Sequence, residues 1–150
     1  RHSRGVYYLA EFTPFGERCI SDAQLFHDRF IGGANGYQTG ASLLHEWGLT
    51  TQIPRQRYFV SNRFRSKVPD AMSGFVVVHR PAVRVTKKNL EYLRWLDAVS
   101  SLRTVPVEVA NPMQMLVSIA MKRGLEERLL RHLADKGGSA WVRARLAEAL

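Results

Sequence analysis

Apolar positions along the chain change period twice. Val6 to Leu9 form a short apolar run of strand length, broken by Pro14 and Gly16. Ser21 with Gln24 three residues on makes a capping-box pattern, and Leu25, Phe26 and Phe30 give the apolar face of a helix that Gly32 and Gly33 stop. In "ANGYQTGASLLHEWGL" Gly36 reads as a turn and Thr39 as an N-cap, followed by a short buried helix from Ala41 to Trp47 that Gly48 ends. Then the period drops to two. "RYFVS" and "GFVVVHR" are β-branched and aromatic runs separated by a turn at Pro69 and Asp70, and "AVRV" after Pro81 is a third candidate strand.

The second half returns to helical spacing. Thr86 is placed to cap "KKNLEYLRWLDAVSSL", in which Leu90, Leu93, Trp95, Leu96 and Val99 make a broad apolar face. Asn111 and Pro112 suit the cap and first turn of "PMQMLVSIAMKR", which Gly124 ends. "LEERLLRHLADK" and "SAWVRARLAEAL", parted by Gly137 and Gly138, predict two more helices. Strands and helices segregated in this way predict an α+β fold: a small mixed or antiparallel sheet packed with helices, and an all-helical C-terminal half. The expected core comprises Leu43, Leu44, Trp47, Phe59, Val76, Val78, Leu93 and Leu96.

At 150 residues and 45% hydrophobic content the chain suits one globular domain with a core of its own. No apolar run approaches the roughly 18 residues that would span a bilayer, and no signal peptide is recognisable, so no membrane partner is expected. Cys19 is the single cysteine, which excludes an intrachain disulfide and a thiolate metal cage and suits a reducing, cytoplasmic setting.

Candidate catalytic chemistry is sparse. His45-Glu46 opens like a zinc-binding helix motif, but Leu49 stands where the second histidine belongs. His27 and Asp28 are adjacent and so do not share a helix face, while His2, His79 and His132 fall on three different elements. Arg18 beside Cys19 favours the thiolate, but no sequence signature supplies a histidine partner. "GGANGYQTG" lacks the Lys-Ser/Thr ending of a P-loop and the strand-to-helix spacing of a dinucleotide fingerprint. A two-metal nuclease needs converging carboxylates, and between Arg55 and Val85 the sole acid is Asp70. The expectation is a non-enzyme with no catalytic residues, no metal and no cofactor.

Charge changes the picture most. Twenty-two Lys+Arg face 13 Asp+Glu, a formal charge of +9 with a pI near 10.3. From Arg55 to Arg94 ten basic residues face only Asp70 and Glu91. Such an excess favours polyanions. The spacings Arg55-Arg57 and Arg63-Arg65 would put both members of each pair on one side of an extended chain, with Tyr58, Phe59 and Phe64 interleaved. Arg55, Arg57, Arg63, Arg65 and Lys67, with Arg1 and Arg4 at the N-terminal end, are the candidate nucleic-acid contacts. The alternative is a solvated strand edge kept charged against aggregation. Arg128, Arg131, Arg143 and Arg145 form a second basic group on the C-terminal helices.

"GVYYLAEFTPFGE", "GYQTGASLLHEWGLTTQIPRQRYFVSNR" and "GFVVVHR" together resemble the region that follows the winged-helix domain in AbiEi-family antitoxins, the transcriptional regulators of type IV toxin–antitoxin systems of abortive infection. The likeness covers about the first half of the chain; the C-terminal helices, with the closing "WVRARLAEAL", match in general style. It implies that residues 1–9, "RHSRGVYYL", are the end of a truncated wing (by themselves they read as a first strand) and 10–150 an antitoxin domain. The implied function is neutralisation of a nucleotidyltransferase-like toxin, with or without direct contact. With the winged helix, which this stretch lacks, it extends to repression of its own promoter through inverted repeats in DNA. A basic protein-interaction or nucleic-acid-binding module without a toxin, and more remotely a metal-dependent nuclease, are the alternatives.

Overall fold

The computed structural model describes residues 9, 11–18, 24, 27–64 and 76–149. The fold is α+β. Two short strands, β1 (Glu11–Thr13) and β2 (Gly16–Arg18), form a hairpin, and three more, β3 (Gly36–Thr39), β4 (Arg57–Ser61) and β5 (Val76–His79), form a sheet in that order. β3 runs antiparallel to β4 and β5 parallel to it, so the sheet is mixed. The helices are α1 (Ala41–Glu46), α2 (Leu90–Ser101), α3 (Pro112–Lys122), α4 (Glu127–Gly137) and α5 (Ala140–Ala149). α2 lies at the centre, against β3 on one side and against α1, α3, α4 and α5 around it.

Local chemistry explains most of these boundaries. Thr86 and Asn89 bond reciprocally, Asn89 N donating to Thr86 Oγ1 at 3.3 Å and Thr86 N to Asn89 Oδ1 at 2.7 Å, which fixes the turn leading into α2. Pro112 opens α3, where its missing N–H costs nothing, and Gly124 closes the turn after it with φ 63. The four C-terminal helices thus follow the predicted order, and all eight expected core residues are buried. Trp95 is fully enclosed, and its indole Nε1 donates to the Leu116 carbonyl at 2.7 Å, so α2 grips α3 through a satisfied polar atom inside the core.

The structure departs from the sequence-based expectations at four places. Gly36–Thr39 is a strand, not a turn leading to a cap: Gly40 (φ 66) precedes α1, and Thr39 directs its hydroxyl elsewhere. Gly36 is needed for close approach, since a Cβ there would lie 2.3 Å from the Val60 carbonyl oxygen and 2.5 Å from that of Phe30. Second, the segment before it ends in a π-helical turn, His27–Ile31, closed by a Gly32 N to His27 O bond of 2.9 Å. Its Phe30 stacks on Phe59, and Ser61 Oγ donates to its carbonyl at 2.7 Å. Third, residues 82–85 form no strand. Pro81 supplies no N–H, the chain leaves the sheet, and the Asn62 side chain takes the place of a neighbouring strand. It accepts from Val85 N at 2.9 Å and donates to Val85 O at 2.8 Å. Fourth, a hairpin stands at 11–18, with Pro14 and Phe15 at its tip. Of the strand expected from Val6 to Leu9, the described residues include only Leu9, which is exposed and belongs to no strand. The rest of that run, the cap at Ser21, and Leu25 and Phe26 lie outside the described residues.

Leu44 is fully buried on α1. Leu44→Ala is expected to lower unfolding stability by roughly 2–5 kcal/mol, the usual range for a leucine truncated in a packed core. Urea melts check this, and a loss within error would mean that α1 does not pack as described.

Candidate functional site

A cleft of about 1290 Å³ opens where the sheet meets the helices. Its walls come from β3 and the start of α1, the 52–58 segment leading into β4, residues 79–83 after β5, α2 with the loop after it, and the junction of α4 and α5. The loop walls are anchored. Glu108 accepts from Thr51 N at 2.6 Å and from Thr50 Oγ1 at 3.4 Å, while its own N–H donates to Leu49 O at 3.2 Å, clamping the loop after α2 onto the chain after α1.

Asp97 is the acid of this cleft. It sits on the face of α2 turned toward β3, and its Oδ2 accepts from Tyr37 Oη and from Thr39 Oγ1, each at 3.0 Å. Tyr37 and Thr39 are alternate residues of β3, so both point to the same side of the sheet. No described group donates to Asp97 Oδ1. Burial raises the Asp97 pKa; the Thr39 and Tyr37 hydrogen bonds and the charge of His79 oppose that shift without cancelling it. The Tyr37 hydroxyl is also raised, by its own burial first and then by Asp97, so it keeps its proton and remains the donor. Beside this floor the rings of Tyr58 and His79 stack with 5° between their planes, and half-buried Trp141 lines the cleft as well.

Arg55, Arg80 and Arg103 belong to three separate segments, line the same cleft and are exposed. None of them forms an ion pair with a described residue. Elsewhere arginines are engaged. Arg94 bonds Glu46 at 2.5 Å and Glu91 at 3.1 Å, Arg123 also bonds Glu91, and both guanidinium groups lie over the Trp47 ring. Burial works to lower the Arg94 pKa, but these two glutamates outweigh it and raise it. That cluster ties α1, α2 and α3 together. Arg131 pairs with Glu127 and Arg145 with Glu148 along their own helices.

Of the seven candidate nucleic-acid contacts, Arg55, Arg57 and Arg63 are among the described residues, and they stand in three different settings. Arg55 lines the cleft. Arg57 is exposed at the first position of β4 and alternates with Tyr58, so it begins the opposite face of that strand. Arg63 stands in the turn after β4, where its guanidinium donates to the carbonyls of Asp28 and Arg29, at 3.3 Å each. The expected same-side pairing of Arg55 with Arg57 is therefore corrected: the chain bends at 55–56 before the pleat begins. Arg1, Arg4, Arg65 and Lys67 lie outside the described residues, as does Cys19. His45, in the last turn of α1, bonds the Thr50 carbonyl at 3.1 Å. Among the described residues no three His, Cys, Asp or Glu side chains converge as metal ligands, and no helix is long and apolar enough to cross a membrane.

Sequence reasoning missed Asp97, Arg80 and Arg103 as site residues. A signal existed for Asp97: it follows Leu90 by seven and Leu93 by four, which places a lone acid inside the apolar stripe of α2. Nothing linear joins Arg103 to Arg55. No family model, no curated protein and no solved structure matches this chain.

The raised Asp97 pKa has a definite sign in stability. Unfolded, this carboxyl ionises near its ordinary value of 3.8; folded, it holds the proton to higher pH. Within that window the unfolded chain releases a proton that the folded chain keeps, so stability falls through this group as pH rises. Asp97→Asn is expected to gain stability relative to the parent as pH rises from about 3 toward 7, read from thermal melts at matched ionic strength. A difference that stays flat over that range would show that Asp97 ionises alike in both states.

Proposed function

We propose that this chain is the antitoxin module of a type IV toxin–antitoxin system, a non-catalytic regulator that neutralises a nucleotidyltransferase-like toxin. The supporting observation is convergence. Two of the three segments on which the resemblance to AbiEi-family antitoxins rests contribute β3, α1, the 52–56 wall, β4 and β5, and residues from each of these elements line one cleft. In this reading promoter recognition belongs to a winged-helix domain acting with the module, and the module itself contributes backbone contact to DNA. The setting is cytoplasmic. The unpaired arginines around the entry to β4 also suit a nucleic-acid-binding module without a toxin partner.

Two experiments separate these readings. Co-expression with a nucleotidyltransferase-like toxin encoded beside this gene is expected to relieve growth arrest; unrelieved arrest would leave only the nucleic-acid module. For DNA contact, binding of a duplex of arbitrary sequence is expected with an affinity on the order of 10⁻⁴ to 10⁻⁶ M at physiological salt. Arg55→Ala with Arg57→Ala is expected to flatten the slope of log affinity against log salt by about 0.9 per lost contact. Arg63→Ala should leave that slope unchanged, because its guanidinium is bound to backbone carbonyls. A double variant with the parental slope would reject DNA contact at these residues.

A further inference from the structure

The sheet face that carries Tyr37 and Thr39 is only partly covered. α2 packs on it at β3, whereas farther across the same face Tyr58 and His79 line the cleft. The register places them there: Tyr58 stands opposite Thr39, and His79 opposite Val60, which is itself opposite Tyr37. Their rings stack with centroids 6.2 Å apart, half-buried at Tyr58 and exposed at His79. Basic groups flank this aromatic floor along the strand direction. β4 and β5 are parallel, Arg55 precedes β4 and Arg80 follows β5, so the two arginines mark opposite ends of the floor. Arg57 is level with Val76, so Arg80 lies four residues, about 13 Å, beyond the start of β4. Arg55 and Arg80 are exposed, and neither forms an ion pair with a described residue. Asp97, bonded to Thr39 and Tyr37, stands level with the rings between them.

We infer that this stretch of the cleft holds single-stranded nucleic acid, with backbone phosphates at Arg55 and at Arg80 and a base on the Tyr58 and His79 rings between them. One anion does not span the two ends, but a chain of repeated phosphates does. Asp97 repels phosphate at the middle, which keeps the backbone to the two ends and turns a base inward. A basic groove with aromatic faces along it is the general means of holding a single strand with little sequence preference. A duplex keeps its base faces stacked on one another, so it leaves these rings unused. An acidic peptide meets the arginines and likewise leaves the rings bare. The inference extends the nucleic-acid-binding reading to a surface other than the one proposed for duplex contact, and it is independent of toxin neutralisation.

The test is fluorescence anisotropy of the full chain with labelled DNA and RNA oligomers of one mixed sequence, about ten nucleotides long, and with the matching DNA duplex. At least one single-stranded oligomer is expected to bind about tenfold or more tightly than the duplex, in keeping with one stacked base. Arg80→Ala should flatten the single-strand slope of log affinity against log salt by about 0.7. His79→Ala, at an exposed position, should weaken single-strand binding by about tenfold with that slope unchanged, and His79→Phe should restore it. Arg57 begins the opposite face of β4, so Arg57→Ala should leave single-strand binding at the parental level. Duplex contact at Arg55 and Arg57 and single-strand contact in the cleft therefore fail separately. A duplex bound as tightly as both oligomers, an Arg80→Ala variant with the parental slope, a folded His79→Ala variant with parental affinity, or displacement of the oligomer as effective by poly-glutamate as by unlabelled oligomer would each overturn the assignment.

Discussion

Two hydrogen bonds from β3 to one carboxylate hold the sheet to the helices. Tyr37 and Thr39 reach Asp97 on α2, and α2 is the element around which α1, α3, α4 and α5 gather. A carboxylate taken from water into this position is costly unless its oxygens find donors. The cost is met at one oxygen only, which keeps the Asp97 pKa above its ordinary value. The same feature that joins the two halves of the fold thus leaves an acceptor facing the cleft between them. Removing either donor would affect packing and site together, because β3 supplies both.

The charge excess is distributed by the same geometry. Helical arginines meet glutamates three or four residues away, as in Arg131 with Glu127 and Arg145 with Glu148, and such pairs cancel field locally. Arg94 and Arg123 are absorbed by Glu46, Glu91 and the Trp47 ring. Loops have no such periodicity, so Arg55, Arg80 and Arg103 keep their full charge around the cleft. The second basic group, on the C-terminal helices, is consequently a weaker attractor for anions than its count of arginines suggests. Exposed pairs of this kind add little stability, but they determine where the unbalanced potential lies.

Amphipathic spacing, caps and glycine stops determined the helical half from the sequence alone: α2 to α5 appear in the predicted order, and the eight expected core residues are all buried. These signals are local, read within a few residues of where they act. β3 was not legible, because four residues between glycines become a strand only when β4 lies alongside. Nor was the exclusion of 82–85 from the sheet, which turns on the amide of Asn62 more than twenty residues away. The site divides in the same way. A local excess of arginine and a lone acid within the stripe of α2 are present in the linear sequence. Which arginines stay unpaired, and that Asp97 faces Tyr37 and Thr39 some sixty residues distant, was decided by the tertiary structure alone, since only the packed fold brings segments so far apart within hydrogen-bonding distance.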